Sequence, residues 1–274
     1  MSHQNQYPGL FYNHGNFTSV ADVLAVEESL NISVNGESFT VTMRTPGEET
    51  ELIRGLLYTE AVYRDAEEEP EIVVLEKSTS GHITSVEVKL DPPKILKDFA
   101  GSRNIISASS CGLCGRTSFE DTISKNVINE DLMIDPAEVR KMFDQMRASQ
   151  KEFTQSGGTH AAGAFTAEGN LLAVCEDIGR HNAVDKLIGK LIMRKQLRLA
   201  KCITVSGRIS YEIVNKALSA EIPVIASVSA PSTMAVEMAA KSGMTLMAFC
   251  RENKLTVYAH PERIKQPENI TVNK

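Results

Sequence analysis

The 274-residue chain has no tryptophan, few aromatics overall (5%) and no apolar run that approaches the length of a bilayer-spanning helix. A transmembrane helix is therefore excluded by the sequence. The N-terminus, MSHQNQYPGL, lacks a charged stretch followed by an apolar core, so no signal peptide is expected. A surplus of positive charge is also missing. The formal net charge of −6 argues against a broad surface for nucleic acid or anionic lipid, although it leaves room for a small basic pocket. There is no GxGxxG and no Walker loop, and no internal repeat or low-complexity stretch. The five cysteines are an odd count, and Cys175, Cys202 and Cys250 stand isolated in apolar segments. That is not a disulfide framework, and a reducing cytoplasm is the expected location.

What is present is an ordinary globular composition, 42% apolar and 23% charged, in a chain long enough for one large or two smaller domains. In the first third, Leu30, Ile32 and Val34 alternate with polar residues, Asn35-Gly36 follows, and Phe39, Val41 and Met43 alternate again. This predicts a β-hairpin. Thr45-Pro46-Gly47-Glu48 reads as a capping box with proline at the first helical position, and Leu52, Ile53, Leu56, Leu57 and Ala61 mark one face of the helix after it. Strands are predicted at Ile72–Leu75 and Ile83–Leu90, with Asp91-Pro92-Pro93 as the stop. Residues 1–104 are thus expected to form a small α+β domain with a disordered N-terminal tail.

Residues 105–274 read as a larger α/β domain. Asp135-Pro136 starts a helix with the stripe Val139, Met142, Phe143 and Met146. A strand pair follows at Ala161–Phe165 and Leu171–Cys175, then a helix carrying Val184, Leu187, Ile188, Leu191 and Ile192. Strand 202–205, helix 209–220, strand 223–228, helix 232–242 and strand 244–250 then alternate with short connections, which implies parallel strands with crossover helices. Open α/β sheets bind ligands beyond the carboxyl ends of their strands. Here those ends are Ser206-Gly207-Arg208, Ser229 to Thr233, and Cys250-Arg251-Glu252-Asn253-Lys254, with residues 176–182 (EDIGRHN) on the same rim. Two of them lead into helix N-termini, and Arg208 and Arg251 add fixed positive charge, so a phosphate or nucleotide crevice is predicted. The plainer alternative is that serine, glycine and proline make turns and caps there while the arginines are solvated.

The stretch SASSCGLCGRTSFE (107–120) places Cys111 and Cys114 two residues apart, each followed by glycine. Three chemistries compete for it. Structural zinc needs four ligands, but a second CxxC and an HxxxH are both missing. A deaminase-type zinc site would need HxE upstream of PCxxC, whereas His160 is followed by Ala-Ala and lies downstream. A mononuclear site borrowing His160 or His181 stays open beside the ordinary reading of both as hydrogen-bonded core or rim residues. A thioredoxin-like redox pair is the second reading, though the pair sits about a hundred residues in, among small and flexible flanks. The third is a covalent sulfur carrier, in which a thiolate on a loop takes up a sulfane sulfur and presents it to an acceptor.

The segments EESLNISVNG, VTMRTPGEETEL, SSCGLCG, SGGTHAAGAF, EDIGRHNAVDKLIG, VSGRISYEIVNKA, SVSAPSTMAVEMA and FCRENKLTVYAHPERI together resemble, in order, those of the FdhD family, the formate dehydrogenase accessory sulfurtransferases. The resemblance runs from about residue 18 to 265. It implies a cytidine-deaminase-like α/β/α domain with a mixed, largely parallel sheet and no deaminase zinc, a smaller α+β domain, and a homodimer. It implies sulfur transfer from a cysteine desulfurase to the molybdenum (or tungsten) cofactor of formate dehydrogenase, bis-molybdopterin guanine dinucleotide, with guanine nucleotides such as GDP as mimics. Cys111 would bear the persulfide and Cys114 would assist. Phe249, Cys250, Arg251, Glu252, Asn253 and Lys254 would bind the cofactor, together with Ser206, Gly207 and Arg208. The competing class is a cofactor-binding chaperone whose CxxC is a redox or zinc staple.

Overall fold

The computed structural model describes residues 6–96, 128, 132–252 and 254–265. The Cys111–Cys114 motif, Asn253 and the expected boundary at 104/105 lie outside the described residues.

The chain begins with a two-stranded antiparallel hairpin, β1 (Gln6–Asn13) and β2 (Asn16–Val23). The N-terminal stretch expected to be a disordered tail is thus a hairpin over these residues. The predicted second hairpin is β3 (Glu28–Val34) and β4 (Glu37–Arg44). Its turn residues Asn35 and Gly36 both have positive φ, 49° and 84°, which is what a two-residue loop matching the strand twist demands. Helix α1 (Glu49–Thr59), β5 (Glu71–Lys77) and β6 (Ile83–Lys89) complete a four-stranded sheet of order β4-β3-β6-β5. Leu30, Ile32, Val34, Val86 and Val88 from the sheet pack against Leu52, Ile53, Leu56 and Leu57 of α1.

The capping box does not form. Helix α1 starts after Glu48, which is left-handed (φ 57°) and makes no side-chain cap. The Thr45 hydroxyl instead accepts the Ile178 N–H at 3.0 Å, and the Thr45 N–H donates to Asp177 at 3.1 Å. A tertiary partner more than a hundred residues away has taken the group that local pattern assigned to the helix start.

The second sheet has six strands in the order β12-β11-β10-β9-β7-β8. Its strands are β7 (His160–Phe165), β8 (Leu171–Asp177), β9 (Cys202–Val205), β10 (Val224–Ser227), β11 (Thr245–Arg251) and β12 (Lys254–Ala259). The pairings β9–β10 and β10–β11 are parallel, and the other three are antiparallel. The sheet is mixed, and "largely parallel" describes only its centre. The reason is local: Thr166 to Asn170 make a tight turn that forces an antiparallel β7–β8 pair, and β12 returns directly alongside β11. Helix α2 (Pro136–Ser149) lies on one face, its predicted stripe Val139, Met142, Phe143 and Met146 buried against the sheet. Asp135 caps it by accepting the Ala137 N–H at 2.8 Å. A short helix, α3 (Lys151–Ser156), follows. Helices α4 (Arg180–Met193), α5 (Tyr211–Ser219) and α6 (Thr233–Lys241) share the core of the opposite face. No helix among the described residues is long and apolar enough to cross a membrane.

The two sheets are joined through helices α1 and α4, which cross at Gly55 and Gly189. A methyl group built on Gly55 would overlap the carbonyl oxygen of Asp185, and one on Gly189 would overlap that of Glu51. The backbones themselves are in contact, with no room for any side chain between them. Beside the crossing, the buried Lys216 Nζ lies 2.9 Å from Asp185 and 3.3 Å from Glu60, and donates to Thr59 Oγ1 at 3.1 Å. Burial pushes the Asp185 carboxyl up, while Lys216 and Thr59 pull it back. Burial likewise opposes charge on Lys216, but Asp185 and Glu60 hold it above the ordinary lysine value. Each ion is affordable only with the other present.

Helix propensity alone makes alanine better than glycine by about 1 kcal/mol at a helical site. At Gly55 the clash reverses that sign. Gly55→Ala should lose about 2–3 kcal/mol through forced separation of the two backbones, measured by urea unfolding. A variant as stable as the parent would show that the helices do not cross this closely.

Candidate functional site

The parallel centre of the six-stranded sheet brings three of the predicted rim segments side by side. Ser227 Oγ donates to the Gly207 carbonyl at 2.6 Å, the Ile209 N–H donates to Ala230 O at 3.1 Å, and the Phe249 N–H donates to Ser229 O at 3.2 Å. The strand ends of β9, β10 and β11 are thus tied into one rim.

A cavity of about 720 Å³ opens at this rim. One wall is the strand ends, with Ser206, Val228, Cys250, Arg251 and Glu252. The opposite wall comes from α2 and the segment after it, with Arg140, Phe143, Met146, Arg147, Phe153 and residues Gly157 to His160. The volume falls in the range of small-molecule and cofactor sites, which run from about 300 to 1,000 Å³. The cavity has an apolar floor and a charged mouth with three arginines (Arg140, Arg147, Arg251) against two carboxylates (Asp144, Glu252). Arg147 stacks over the Phe153 ring at 4.3 Å, which keeps a cation at the wall without tying up its donors. Arg140 Nε lies 3.3 Å from Asp144. Arg251 Nε donates to the Val228 carbonyl at 2.7 Å, so its guanidinium is positioned by the neighbouring strand end.

Glu176 holds the far wall in place. Its carboxylate accepts from the N–H groups of Glu152 and Phe153 at 2.9 and 2.8 Å and from the Thr159 hydroxyl at 3.0 Å. A carboxylate at the start of α3 meets the free N–H groups of that turn.

The predicted residues divide as follows. Ser206, Cys250, Arg251 and Glu252 line the cavity. Lys254 lines a smaller neighbour of about 230 Å³ that shares Cys250, Arg251 and Arg140 with it. Phe249 does not line either; it is 44% exposed and its ring lies 6.4 Å from that of Tyr258. Gly207 and Arg208 stand next to the cavity, not in its lining. The separation within 249–252 has a backbone cause. Phe249 and Glu252 have φ of 55° and 50°, and the β11–β12 register slips between Ala248 and Arg251. Such a bulge re-aims successive side chains, leaving Cys250 buried in the cavity lining, Arg251 exposed at its mouth and Phe249 turned away from it.

The α2 wall was missed from sequence, where Phe143 and Met146 were read as core stripe only. The spacing of Arg140 and Arg147, seven residues apart and so on one helix face, was the available signal. His160, considered earlier as a borrowed zinc ligand, lines the cavity with its Nδ1 3.4 Å from Ser206 Oγ, while the CxxC that would share such a metal lies outside the described residues. Burial, with Arg180 and Arg208 adding to it, holds its pKa below the usual histidine value. His181 Nε2 lies 3.3 Å from Ser210 Oγ, and burial, reinforced by Arg180 and Lys216, pushes its pKa down to about 4. Among the described residues no group of three or more His, Cys, Asp or Glu side chains could hold a metal ion. Burial also pushes the thiols of Cys175 and Cys250 up, to about 12 and about 11, and that of Cys202 upward as well. All three remain protonated at neutral pH and are poor nucleophiles.

The comparisons with known proteins agree with one another. The FdhD/NarQ family model matches residues 25–265. The chain belongs to the FdhD/NarQ family. It is 42% identical over 251 residues to the sulfur carrier protein FdhD of Streptomyces avermitilis, covering 89% of each chain. It is 43% identical to that of Mycobacterium tuberculosis, over 89% of this chain and 92% of the relative, and 41% identical to that of Sulfolobus acidocaldarius, over 90% and 92%. Among solved structures, a candidate formate dehydrogenase accessory protein from Desulfotalea psychrophila superposes with a TM-score of 0.74 at 24% identity, over 95% of this chain and 98% of that one. That likeness extends the family match to the fold.

The buried His181 gives a pH signature. Its folded pKa of about 4 lies below the usual value of 6.5, so the unfolded chain binds the extra proton first as pH falls. Stability is therefore intact above about pH 6.5 and is lost toward pH 4, by about 2–3 kcal/mol from this group. In His181→Gln, the loss between pH 6.5 and 4, followed by urea unfolding, should shrink by that amount. An unchanged pH profile would show that His181 is not held neutral in the fold.

Proposed function

We propose that this FdhD/NarQ member is a sulfur carrier that delivers sulfur to the molybdenum cofactor of formate dehydrogenase, holding the guanine dinucleotide part of that cofactor in the cavity at the β9–β11 strand ends. The observation that carries the reading is the cavity itself. It joins Ser206 to Cys250, Arg251 and Glu252, and it pairs an apolar floor that suits a flat base with arginines that suit phosphate. The relatives named sulfur carrier protein FdhD support the sulfur half of the reading.

In this scheme the thiolate of Cys111 attacks the outer sulfur of a persulfide on a cysteine desulfurase. The donor's S–S bond breaks, the donor leaves as a thiolate, and Cys111 holds the sulfane sulfur as a persulfide. Attack by Cys114 on the Cys111 sulfur then breaks the bond to the carried atom and leaves it as hydrosulfide. The two cysteines supply its two electrons and end as a disulfide. The other three cysteines, Cys175, Cys202 and Cys250, are buried with their thiols pushed upward by burial, which leaves the CxxC pair as the candidate carriers. In the homodimer expected from the family, two such cavities would serve the two nucleotide arms of the cofactor.

Two measurements test the two halves separately. After incubation with a cysteine desulfurase and cysteine, intact-mass spectrometry should show a gain of one sulfur that reductant removes. Cys111→Ser should abolish that gain and formate dehydrogenase activation while GDP binding persists. A variant that still activates the dehydrogenase would overturn the role of Cys111. Arg251→Ala should weaken GDP binding about tenfold, the scale of one lost charge-assisted hydrogen bond, and leave sulfur loading intact. Unchanged affinity by calorimetry would take Arg251 out of the site.

A further inference from the structure

The hairpin β1–β2 stands apart from both cores. Among the described residues its strands pair only with each other, and every residue from Gln6 to Ser19 is exposed. The alternation of a strand puts Leu10, Tyr12 and Phe17 on one face and Tyr7 and Phe11 on the other. The Tyr12 and Phe17 rings meet across the strands at 5.1 Å. All five side chains are half or more exposed. A lone two-stranded hairpin is marginal in water, and one that is apolar on both faces needs a cover on both. No charged side chain occurs from Gln6 to Ala21, so none blunts the two open strand edges, the usual protection of an unpaired strand.

Charge and area point to the same cover. Two copies of a chain with a formal net charge of −6 repel one another unless they meet on neutral surface, and residues 6–21 supply such a surface. A contact related by a two-fold axis sets the same patch on both sides, so an uncharged apolar patch is its own complement. Aromatic side chains bury about 150–250 Å² each, so the five residues offer on the order of 500 Å² per copy. Two copies together reach about 1,000 Å², the size at which a specific interface becomes stable. The root of the hairpin is also part of the cavity wall. Strand β2 lies against α3, and a methyl group built on Gly158 would lie 2.9 Å from Ala25 Cβ. A copy seated on the hairpin is thereby fixed to the wall that carries Phe153 and Gly157 to His160.

We propose that the β1–β2 hairpin is an arm through which two copies of this chain associate, each hairpin buried against the other copy beside the far wall of the cavity. The proposal holds whatever ligand the cavity takes.

The test is sedimentation equilibrium of the full-length protein from nanomolar to high micromolar concentration, on the parent chain, Phe11→Glu, Phe17→Glu and Leu75→Glu. Phe11 and Phe17 sample the two faces of the hairpin, and Leu75 is an equally exposed residue of β5. Each substitution occurs twice in a two-fold contact, so a tenfold cost per site should weaken association about a hundredfold in both hairpin variants. Leu75→Glu should leave it unchanged. Far-ultraviolet circular dichroism checks each variant's fold. A monomeric parent overturns the proposal, as does a dimer that neither hairpin variant weakens or that Leu75→Glu weakens as much. Hydrogen exchange on the parent needs no variant. The amides of β1 and β2 should gain protection as concentration rises through the dimer midpoint. Amides that stay unprotected in the dimer overturn the arm, and protection that does not depend on concentration does so too, because the cover then comes from the same chain.

Discussion

The backbone contact between α1 and α4 at Gly55 and Gly189 is the constraint on which both halves of the molecule turn. Helix α1 is buried on two sides, by the four-stranded sheet beneath it and by α4 above it, and Leu52 to Leu57 have no solvent face. Helix α4 in turn covers the six-stranded sheet. The smaller unit is therefore part of the scaffold and not an appendage. Its interface resembles a core in burial but carries buried charge pairs, Lys216–Asp185 and Lys186–Asp177 (2.9 and 2.8 Å). Buried pairs of this kind add little net stability, yet they penalise any other docking of the helices, since a slip would strand a charge.

This joint reaches the candidate site through the first turn of α4. Asn182 donates to the Met43 carbonyl at 2.8 Å, and the Thr42 hydroxyl and Asn182 Oδ1 are 3.2 Å apart. Lys186 donates to the Thr45 carbonyl at 2.8 Å. The end of β4 thus sets where α4 begins, and with it the positions of Arg180 and His181. A residue pattern in the first fifty residues places side chains on a rim made by the last hundred. The cavity has a second determinant in the bulge of β11, where two left-handed residues split a contiguous motif between interior and surface.

Much of the architecture was legible because the relevant forces are local. The Asn35-Gly36 turn, the cap at Asp135 and the α2 stripe follow from backbone conformation and helical spacing, and each stands where it was predicted. The alternation from β9 to β11 likewise implied parallel strands, and parallel strands placed their carboxyl ends together. Thr45 shows the limit: its hydroxyl fits a helix cap equally well, but a partner at residue 178 competes for it and wins. The β1–β2 hairpin was missed because its apolar residues, among them Leu10, Phe11 and Phe17, are more than half exposed and bury no face of their own.

The residues by themselves determined that the chain carries a CxxC motif whose zinc partners are missing from the sequence, an α/β half with polar strand ends, and a set of segments shared with one family. Periodicity and turn chemistry are encoded within a few residues, so they survive without knowledge of the fold. The tertiary structure alone decided which of the polar positions meet. It joined Arg140 and Arg147 of α2 to Arg251 across one cavity, turned Phe249 away from it, and set Gly207 against His160 and the first residue of α4. Those outcomes depend on the distance at which two helices pack and on one irregular strand pairing. Both are settled by contacts between residues far apart in the chain, which no local pattern records.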